Sequence, residues 1–155
     1  RLPTEAEWEW AAKGGKNDKW AGTNSESELK SYAWLWSTPS NSKTHEVKKK
    51  QPNDYGLYDM AGNVAEWTST IYTEAGVDAM NDLNPQLDYK AAKEDPYRLK
   101  KKSVRGGSWK DPESYIRSAW RSWEYQNQPR AYIGFRCVRS LATTATGKPQ
   151  KQKSK

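Results

Sequence analysis

The spacing of apolar positions in the first fifteen residues predicts an amphipathic helix. Thr4 is a candidate N-cap, and Glu7 three residues later completes the pattern of a capping box. Trp8, Ala11 and Ala12 follow at helical spacing, so one face of the helix is expected to pack inward. A Gly-Gly pair follows this pattern and is expected to end the helix.

Beyond this helix the apolar positions form only short runs. Residues 16–53 are rich in Ser, Asn, Thr and Lys and contain one candidate strand at 32–36. A turn leading into a short strand is predicted over 55–70. Four of its side chains are expected in the core: Leu57, Met60, Val64 and Trp67. Three later segments are expected to form a small sheet: 103–109, 115–123 and 133–138.

Two stretches show neither a clear helical pattern nor a clear strand pattern of apolar residues. Residues 71–102 combine Asp and Asn clusters with two prolines, which predicts a surface insertion carrying a short helix at about 87–93. Residues 142–155 are Thr, Ala, Gly, Pro, Gln, Ser and Lys, too polar to order themselves by burial, and are predicted to form a basic disordered tail. The pattern therefore predicts an α+β domain over 1–141 with few helices, short strands and long irregular loops.

Composition changes the expected character of the core. Only 34% of the 155 residues are apolar, which is low for a globular domain, but the chain holds nine Trp and nine Tyr. Each ring can bury roughly 150–250 Å², so aromatic side chains are expected to supply much of the apolar area. Trp109 and Phe135 are predicted to be buried together. Because the chain starts at Arg1 and enters a helix at once, it is interpreted as the C-terminal part of a larger protein.

The formal net charge of +7 is concentrated in lysine runs rather than in a known nucleic-acid motif. The runs lie at 48–50, at 100–102 and in the terminal tail, where they are typical of solvated loops. No helix-turn-helix, zinc-finger or single-strand-binding signature accompanies them, so no nucleic-acid partner is predicted. The charge favours an acidic partner or anionic lipid head groups instead.

Four motifs stand in an order that resembles the formylglycine-generating enzyme, or sulfatase-modifying factor, family. They read R-L-P-T-E-A-E-W-E from Arg1, Y-G-L-Y-D-M-A-G-N-V-A-E-W from Tyr55, V-R-G-G-S-W from Val104 and G-F-R-C from Gly134. The resemblance covers residues 1–141. It implies the fold of that family, which is distantly related to C-type lectins.

The same resemblance implies that the catalytic pair of the family is missing. Family enzymes bind copper through two cysteines, one three residues beyond the serine of G-G-S-[WY] and the other five residues later, where this chain has Asp111 and Ile116. Thiolate is the nucleophile and the soft-metal ligand, and neither residue replaces it. No copper and no enzymatic activity are therefore expected. Cys137, the only cysteine, lies where the family has a structural one and is expected to be a buried thiol.

Asn63 and Glu66 match positions near a calcium site in relatives, and oxygen donors at this spacing suit Ca²⁺. A structural calcium ion is therefore one hypothesis; the other is that both side chains cap loops and bind backbone N–H groups. No other cofactor is expected. Four arginines near the motifs are expected to pair with buried carboxylates such as Glu66, or to stack on Trp rings, rather than to bind substrate: Arg105, Arg117, Arg121 and Arg136.

Within the family, the wording of the first motif, the long insertion and the Lys-rich terminus most resemble the gliding-motility lipoprotein GldK and its homologue PorK. This resemblance implies a non-catalytic subunit of the periplasmic ring of the type IX secretion system. It further implies self-association in the ring, a GldN- or PorN-type partner, and attachment to the periplasmic face of the bacterial outer membrane through an upstream lipid anchor. The alternatives are a carbohydrate- or peptide-binding module and an active formylglycine-generating oxidase.

The partner surface is expected to lie on the irregular segments 16–53 and 71–102, leaving the relic of the catalytic cleft unused. These segments display aromatic side chains among polar ones, a mixture suited to interface anchors with a wet rim. Three of these rings are the candidate partner-binding residues: Trp20, Tyr89 and Tyr97.

Overall fold

The computed structural model describes residues 1–38, 42–74 and 101–140. Two α-helices, one 3-10 helix and four strands follow in chain order: α1 Glu5–Lys13, α2 Leu29–Tyr32, β1 Ala65–Ile71, β2 Lys101–Arg105, the 3-10 helix Glu113–Ile116, β3 Ser122–Tyr125 and β4 Ile133–Gly134. The strands form one sheet in the order β3-β2-β1-β4. β2 is antiparallel to both of its neighbours, and β4 runs parallel to β1. This arrangement confirms the predicted α+β class.

Helix α1 begins and ends as its local sequence predicts. The Thr4 hydroxyl accepts the Glu7 backbone N–H at 3.1 Å, and the Glu7 carboxylate accepts the Thr4 N–H at 2.8 Å, which completes the capping box. Gly14 closes the helix in the left-handed conformation at φ 59°. Trp8 and Ala12 on its inner face are buried. Within the described chain, no helix is both long and apolar enough to cross a bilayer.

The core lies where α1 meets loop segments rather than inside the sheet. Its largest apolar members come from five separate parts of the chain: Trp8, Trp20, Leu29, Leu35, Met60 and Ile116. Of the four core residues predicted over 55–70, Met60 is buried and Leu57 packs partly against the cluster. Val64 and Trp67 are half-buried.

Gly62 lets two of these loop segments approach each other closely. It has a φ of 72°, and a Cβ built on it would lie 2.1 Å from the Trp34 carbonyl oxygen. Its own N–H donates to the Gly106 carbonyl at 2.9 Å, and the next N–H, from Asn63, donates to Trp34 at 2.8 Å. The backbone at Gly62 and Asn63 therefore links segment 34–38 to the V-R-G-G-S-W motif.

Two expectations about local structure are wrong, and a third is not tested. The candidate strand at 32–36 is reduced to one bridge, Trp34 to Gly62, because α2 occupies the residues up to Tyr32. Segment 115–123 is a strand only from Ser122, since a 3-10 helix occupies its beginning. The proposed helix at 87–93, most of the insertion and the tail lie outside the described residues.

Trp109 and Phe135 do not share a core, contrary to expectation. Trp109 is half-buried and Phe135 is 69% exposed. Phe135 follows β4, a two-residue strand at the edge of the described sheet, so no further described strand pairs alongside it. Composition indicated that aromatic rings fill the core but could not identify which rings do so.

Candidate functional site

The two positions that resemble the catalytic cysteine pair lie in the loop after β2. Asp111 Oδ2 accepts hydrogen bonds from the Ser108 backbone N–H at 2.8 Å and from its hydroxyl at 2.6 Å. Ile116 is fully buried and packs against Gly107, where a Cβ would lie 2.6 Å from Ile116 Cγ2. Asp111 thus stabilises its own loop through hydrogen bonds, and Ile116 contributes to the core.

These side chains do not fit Cu(I). A carboxylate is a hard oxygen donor and isoleucine has no donor atom, whereas Cu(I) prefers soft thiolate or thioether ligands. Cys137 is exposed, so the expectation of a buried thiol is wrong for the described structure. It lies beyond β4, on the same edge segment that leaves Phe135 exposed.

A cavity of about 140 Å³ opens beside Asp111. Four aromatic residues contribute to its lining: Tyr115, Trp120, Trp123 and Tyr132. The Tyr115 and Trp120 ring centroids are 4.4 Å apart, so these two rings form a continuous wall. Small and aliphatic residues of the sheet also line it, namely Ala65, Val104 and Ile133, together with polar and charged ones, among them Lys110, Asp111, Ser122 and Glu124. This cavity lies in the cleft that the sequence analysis expected to be unused.

The charged groups of the cavity interact with one another and with neighbouring residues. Burial acts to raise the pKa of Glu124, but the Arg130 guanidinium at 2.6 Å and the Tyr125 N–H at 3.0 Å together hold that pKa below its usual value. The Lys110 ammonium lies 3.3 Å from the centroid of the Tyr132 ring. Its charge also helps to hold the pKa of Glu124 below its usual value.

A buried ion network behind the site joins α1 to β2. The Glu5 carboxylate accepts hydrogen bonds from Arg105 at 2.8 Å, from Arg121 at 2.7 and 3.0 Å, and from the Ser103 hydroxyl at 2.9 Å. Burial acts to raise the pKa of Glu5, yet these partners hold it below its usual value. Arg105 reaches Glu9 as well, at 2.7 Å. Sequence reasoning missed Glu5, although it shares the inward helical spacing of Trp8.

Glu66 is the centre of a second buried cluster. Its carboxylate accepts the Trp8 indole N–H at 2.6 Å and a bidentate pair of bonds from Arg136 at 2.5 and 2.6 Å. The expected arginine–carboxylate pairing is confirmed for Arg105, Arg121 and Arg136. Arg117 instead donates to the Ser114 carbonyl at 2.9 Å and lies 5.7 Å from the Trp120 ring centroid.

The two proposed calcium donors have protein partners instead. Asn63 Oδ1 accepts the His45 backbone N–H at 2.9 Å, and its Nδ2 donates to the His45 carbonyl at 3.1 Å. The Glu66 oxygens are taken by Trp8 and Arg136. No group of three or more acidic, His or Cys side chains among residues 1–38, 42–74 and 101–140 is placed to hold a metal ion.

Trp20 is not a surface anchor. It is 2% exposed, and its indole N–H donates to the Glu113 carbonyl at 2.7 Å, so it supports the cleft loop from inside the core. Tyr89 and Tyr97 lie outside the described residues. The most exposed large rings in the described chain are instead Trp10, Trp36 and Phe135.

Comparisons with known proteins agree with this architecture. Residues 1–141 match the model of the sulfatase-modifying factor enzyme 1-like domain. The chain is 33% identical to mouse formylglycine-generating enzyme over 160 residues, covering 94% of this chain and 40% of that protein. It is 38% identical to serine/threonine-protein kinase pkn1 of Chlamydia pneumoniae, covering 91% of this chain and 21% of that protein.

A solved structure, Treponema denticola variable protein 1, superposes with a TM-score of 0.74 at 46% identity, covering 87% of this chain and 45% of that one. The chain thus spans from about a fifth to less than half of the length of these three relatives.

Proposed function

We propose that this chain, which belongs to the sulfatase-modifying factor enzyme 1-like family, is a non-catalytic domain that binds a partner protein. The observation that carries the proposal is the state of the two positions that resemble the catalytic cysteine pair. Asp111 braces its own loop through Ser108, and Ile116 is built into the core. A cysteine at position 111 would lose the hydrogen bonds that Asp111 accepts from Ser108, and a cysteine at position 116 would lose core packing made by Ile116.

The narrower proposal is a structural subunit of the periplasmic ring of the type IX secretion system. It rests on the resemblance to GldK and PorK in the first motif, the insertion and the Lys-rich terminus. The proposed partner is a GldN- or PorN-type protein, with further copies of the subunit in the ring. The location proposed with it is the periplasmic face of the outer membrane, reached through a lipid anchor upstream of Arg1.

The charge of the chain supports a protein partner of acidic character. The net charge is +7, and lysine runs stand at 48–50, at 100–102 and in the terminal segment. An excess of positive charge attracts an acidic partner and speeds its association.

The experiment that tests the proposal is isolation of the full-length protein from its native membrane under mild detergent, followed by identification of what co-purifies. We expect a GldN- or PorN-type protein in a fixed ratio and a particle much larger than one subunit. Recovery of a monomer with no protein partner would contradict the scaffold proposal. Co-purification of the full-length protein with a different partner would support the scaffold proposal but contradict the assignment to the secretion system.

A further inference from the structure

We propose that an apolar groove between helix α1 and segment 138–140 is the surface on which the part of the protein upstream of Arg1 packs, covering the Trp10 ring. The occupant is a segment of the same polypeptide that turns an apolar face toward the groove. The proposal is independent of the proposed function, because it concerns contacts within one polypeptide and not the binding of a partner.

The groove is mainly apolar although it is open to solvent. It has a volume of about 560 Å³. Its apolar lining comes from Ala6, Trp10 and Ala11 of α1 and from Val138. The Trp10 ring is 66% exposed and packs only on one side against Tyr55, with the two ring centroids 4.8 Å apart. Exposed apolar surface of this kind typically marks a place that another segment covers.

The charged residues of the lining leave little charge for an ionic ligand. The Arg1 guanidinium donates to both oxygens of Glu7, at 2.7 Å each, so these two charges neutralise one another. The same guanidinium also donates to the Ser140 hydroxyl, at 3.2 and 3.3 Å. The groove therefore selects an occupant chiefly by its apolar surface, and Arg139 adds a positive charge that disfavours a basic occupant.

Backbone hydrogen bonds at Arg1 show how an upstream segment would reach the groove. The Val138 N–H donates to the Arg1 carbonyl at 2.9 Å, and the Arg1 nitrogen donates to the Val138 carbonyl at 3.3 Å. Two residues that exchange both bonds form an antiparallel pair. Residues that precede Arg1 would therefore continue beside Arg139 and Ser140, which line the groove.

The length of similar proteins supplies such a segment. Treponema denticola variable protein 1 superposes on 87% of this chain, yet the match covers only 45% of that protein. The match to mouse formylglycine-generating enzyme covers 40% of that protein. Proteins that share this architecture thus have as much chain again outside the matched part. An equivalent part of this protein is the proposed occupant.

The C-terminal residues of this chain are a poorer match to the groove. Residues 141–155 contain one large apolar side chain, Leu141, and their charged residues are all lysines. A segment of this composition offers little surface to cover Trp10 and carries the same charge as Arg139.

The test uses the full-length protein purified without partners. Hydroxyl-radical labelling with mass spectrometry compares the reactivity of Trp10 in the folded and the urea-unfolded protein. The buried Trp8 and Trp20 provide the shielded reference. Trp36 is the matched exposed reference, because it is 64% exposed and lies outside the groove lining.

Photo-cross-linking then identifies the occupant. Benzoylphenylalanine is placed at Arg139, which is exposed and lines the groove, and in a control protein at Asn17, which is exposed and outside the lining. A mixture of isotope-labelled and unlabelled protein distinguishes cross-links within one polypeptide from those between two copies.

We expect the folded protein to shield Trp10 as fully as Trp8 and Trp20, while Trp36 remains reactive. We also expect the probe at Arg139 to form cross-links to residues upstream of Arg1 within the same polypeptide, and the probe at Asn17 to form none with those residues.

Trp10 as reactive as Trp36 in the folded protein would overturn the proposal. Cross-links from position 139 to residues 141–155, or only between two copies, would assign the groove to the C-terminal segment or to self-association and would overturn it as well. Shielding of Trp10 that appears only when a partner protein is added would assign the groove to that partner. A full-length protein that co-purifies with no partner would contradict the proposed function and leave these results unchanged.

Discussion

Arg136 and Glu66 form a bidentate ion pair, with Nε to Oε2 at 2.5 Å and Nη2 to Oε1 at 2.6 Å. The pair joins the G-F-R-C segment to β1, and the same carboxylate also accepts the Trp8 indole N–H from α1. Three parts of the chain that are far apart in sequence therefore meet at one carboxylate. The Glu66 side chain is only 7% exposed, so its charge depends on these partners for solvation.

Glu66→Gln is expected to be strongly destabilising because it leaves the Arg136 guanidinium without its anion. Removing one partner of a buried ion pair costs about 3–5 kcal/mol, and we expect a loss near the lower figure because the Arg136 side chain is 26% exposed. The matched control is Glu46→Gln, which breaks the exposed pair with Lys49 and should cost about 0–1 kcal/mol. Urea unfolding of both variants measures the difference. Similar losses of unfolding free energy in Glu66→Gln and Glu46→Gln would show that the buried cluster at Glu66 does not stabilise the fold as described.

Gly62→Ala is expected to disrupt the contact between segments 34–38 and 60–63. Gly62 and Gly56 both have a φ of 72°, so an alanine at either position meets the same left-handed penalty of roughly 1–2 kcal/mol. Only Gly62 also has the Trp34 carbonyl 2.1 Å from the added Cβ, whereas nothing lies within 4 Å at Gly56. We therefore expect Gly56→Ala to lower the melting temperature slightly and Gly62→Ala to prevent folding. Equal melting temperatures would contradict this packing.

Acidification should remove stability through the capping carboxylate of α1. Hydrogen bonds from Arg1 are the main cause that lowers the pKa of Glu7 from its ordinary 4.5 to about 2, and burial opposes them. A folded-state pKa below the unfolded value gives a contribution that is complete above pH 4.5 and is lost as pH falls towards 2. The lowered pKa values of Glu5 and Glu9 act in the same direction.

The measurement is the free energy of unfolding at pH 6 and at pH 2.5. Glu7→Gln should narrow the difference between these two values, because glutamine cannot lose the contribution by protonation. Glu26→Gln, at an exposed position, is the control variant. High salt should weaken the Glu7 effect, since the Arg1 and Glu7 side chains are 47% and 33% exposed. An unchanged pH dependence in Glu7→Gln would contradict the assignment.

Formylglycine formation is expected to be absent. Incubation of the purified protein with Cu(I) and a cysteine-containing sulfatase peptide should yield no aldehyde, because Asp111 and Ile116 supply no thiolate for copper or for disulfide exchange. Mouse formylglycine-generating enzyme is the positive control. Aldehyde formation above that of a control without the protein would contradict the non-catalytic proposal. The protein would then be an oxidase that works without the cysteine pair.

Local features were well determined by the sequence. The capping box of Thr4 and Glu7, the left-handed stop at Gly14 and the inward face carrying Trp8 and Ala12 all depend on residues within one or two helical turns. The four motifs also identified the family, which the match over residues 1–141 confirms. The identities of Asp111 and Ile116 are read directly from the chain, so the loss of thiol chemistry at these positions needed no coordinates.

Only the tertiary structure decided which side chains meet across the chain. Glu5 and Arg105 are 100 positions apart, and nothing near either residue indicates that they bond in the interior. Phe135 and Cys137 have residue types that favour burial, yet they lie on an edge segment that the described chain leaves exposed. Burial is a property of what packs over a residue, and for these positions that is set by distant segments.

The same limit applies to the candidate site. Trp20 belongs to a polar segment and was expected at the surface, but its indole bonds to Glu113 inside the core. The cavity has no sequence signature, since its lining comes from all four strands and the loops around them. Composition determined that this chain is rich in aromatic rings and positive charge. Packing decided that four aromatic residues line one cavity, because cavities arise only where separate elements meet.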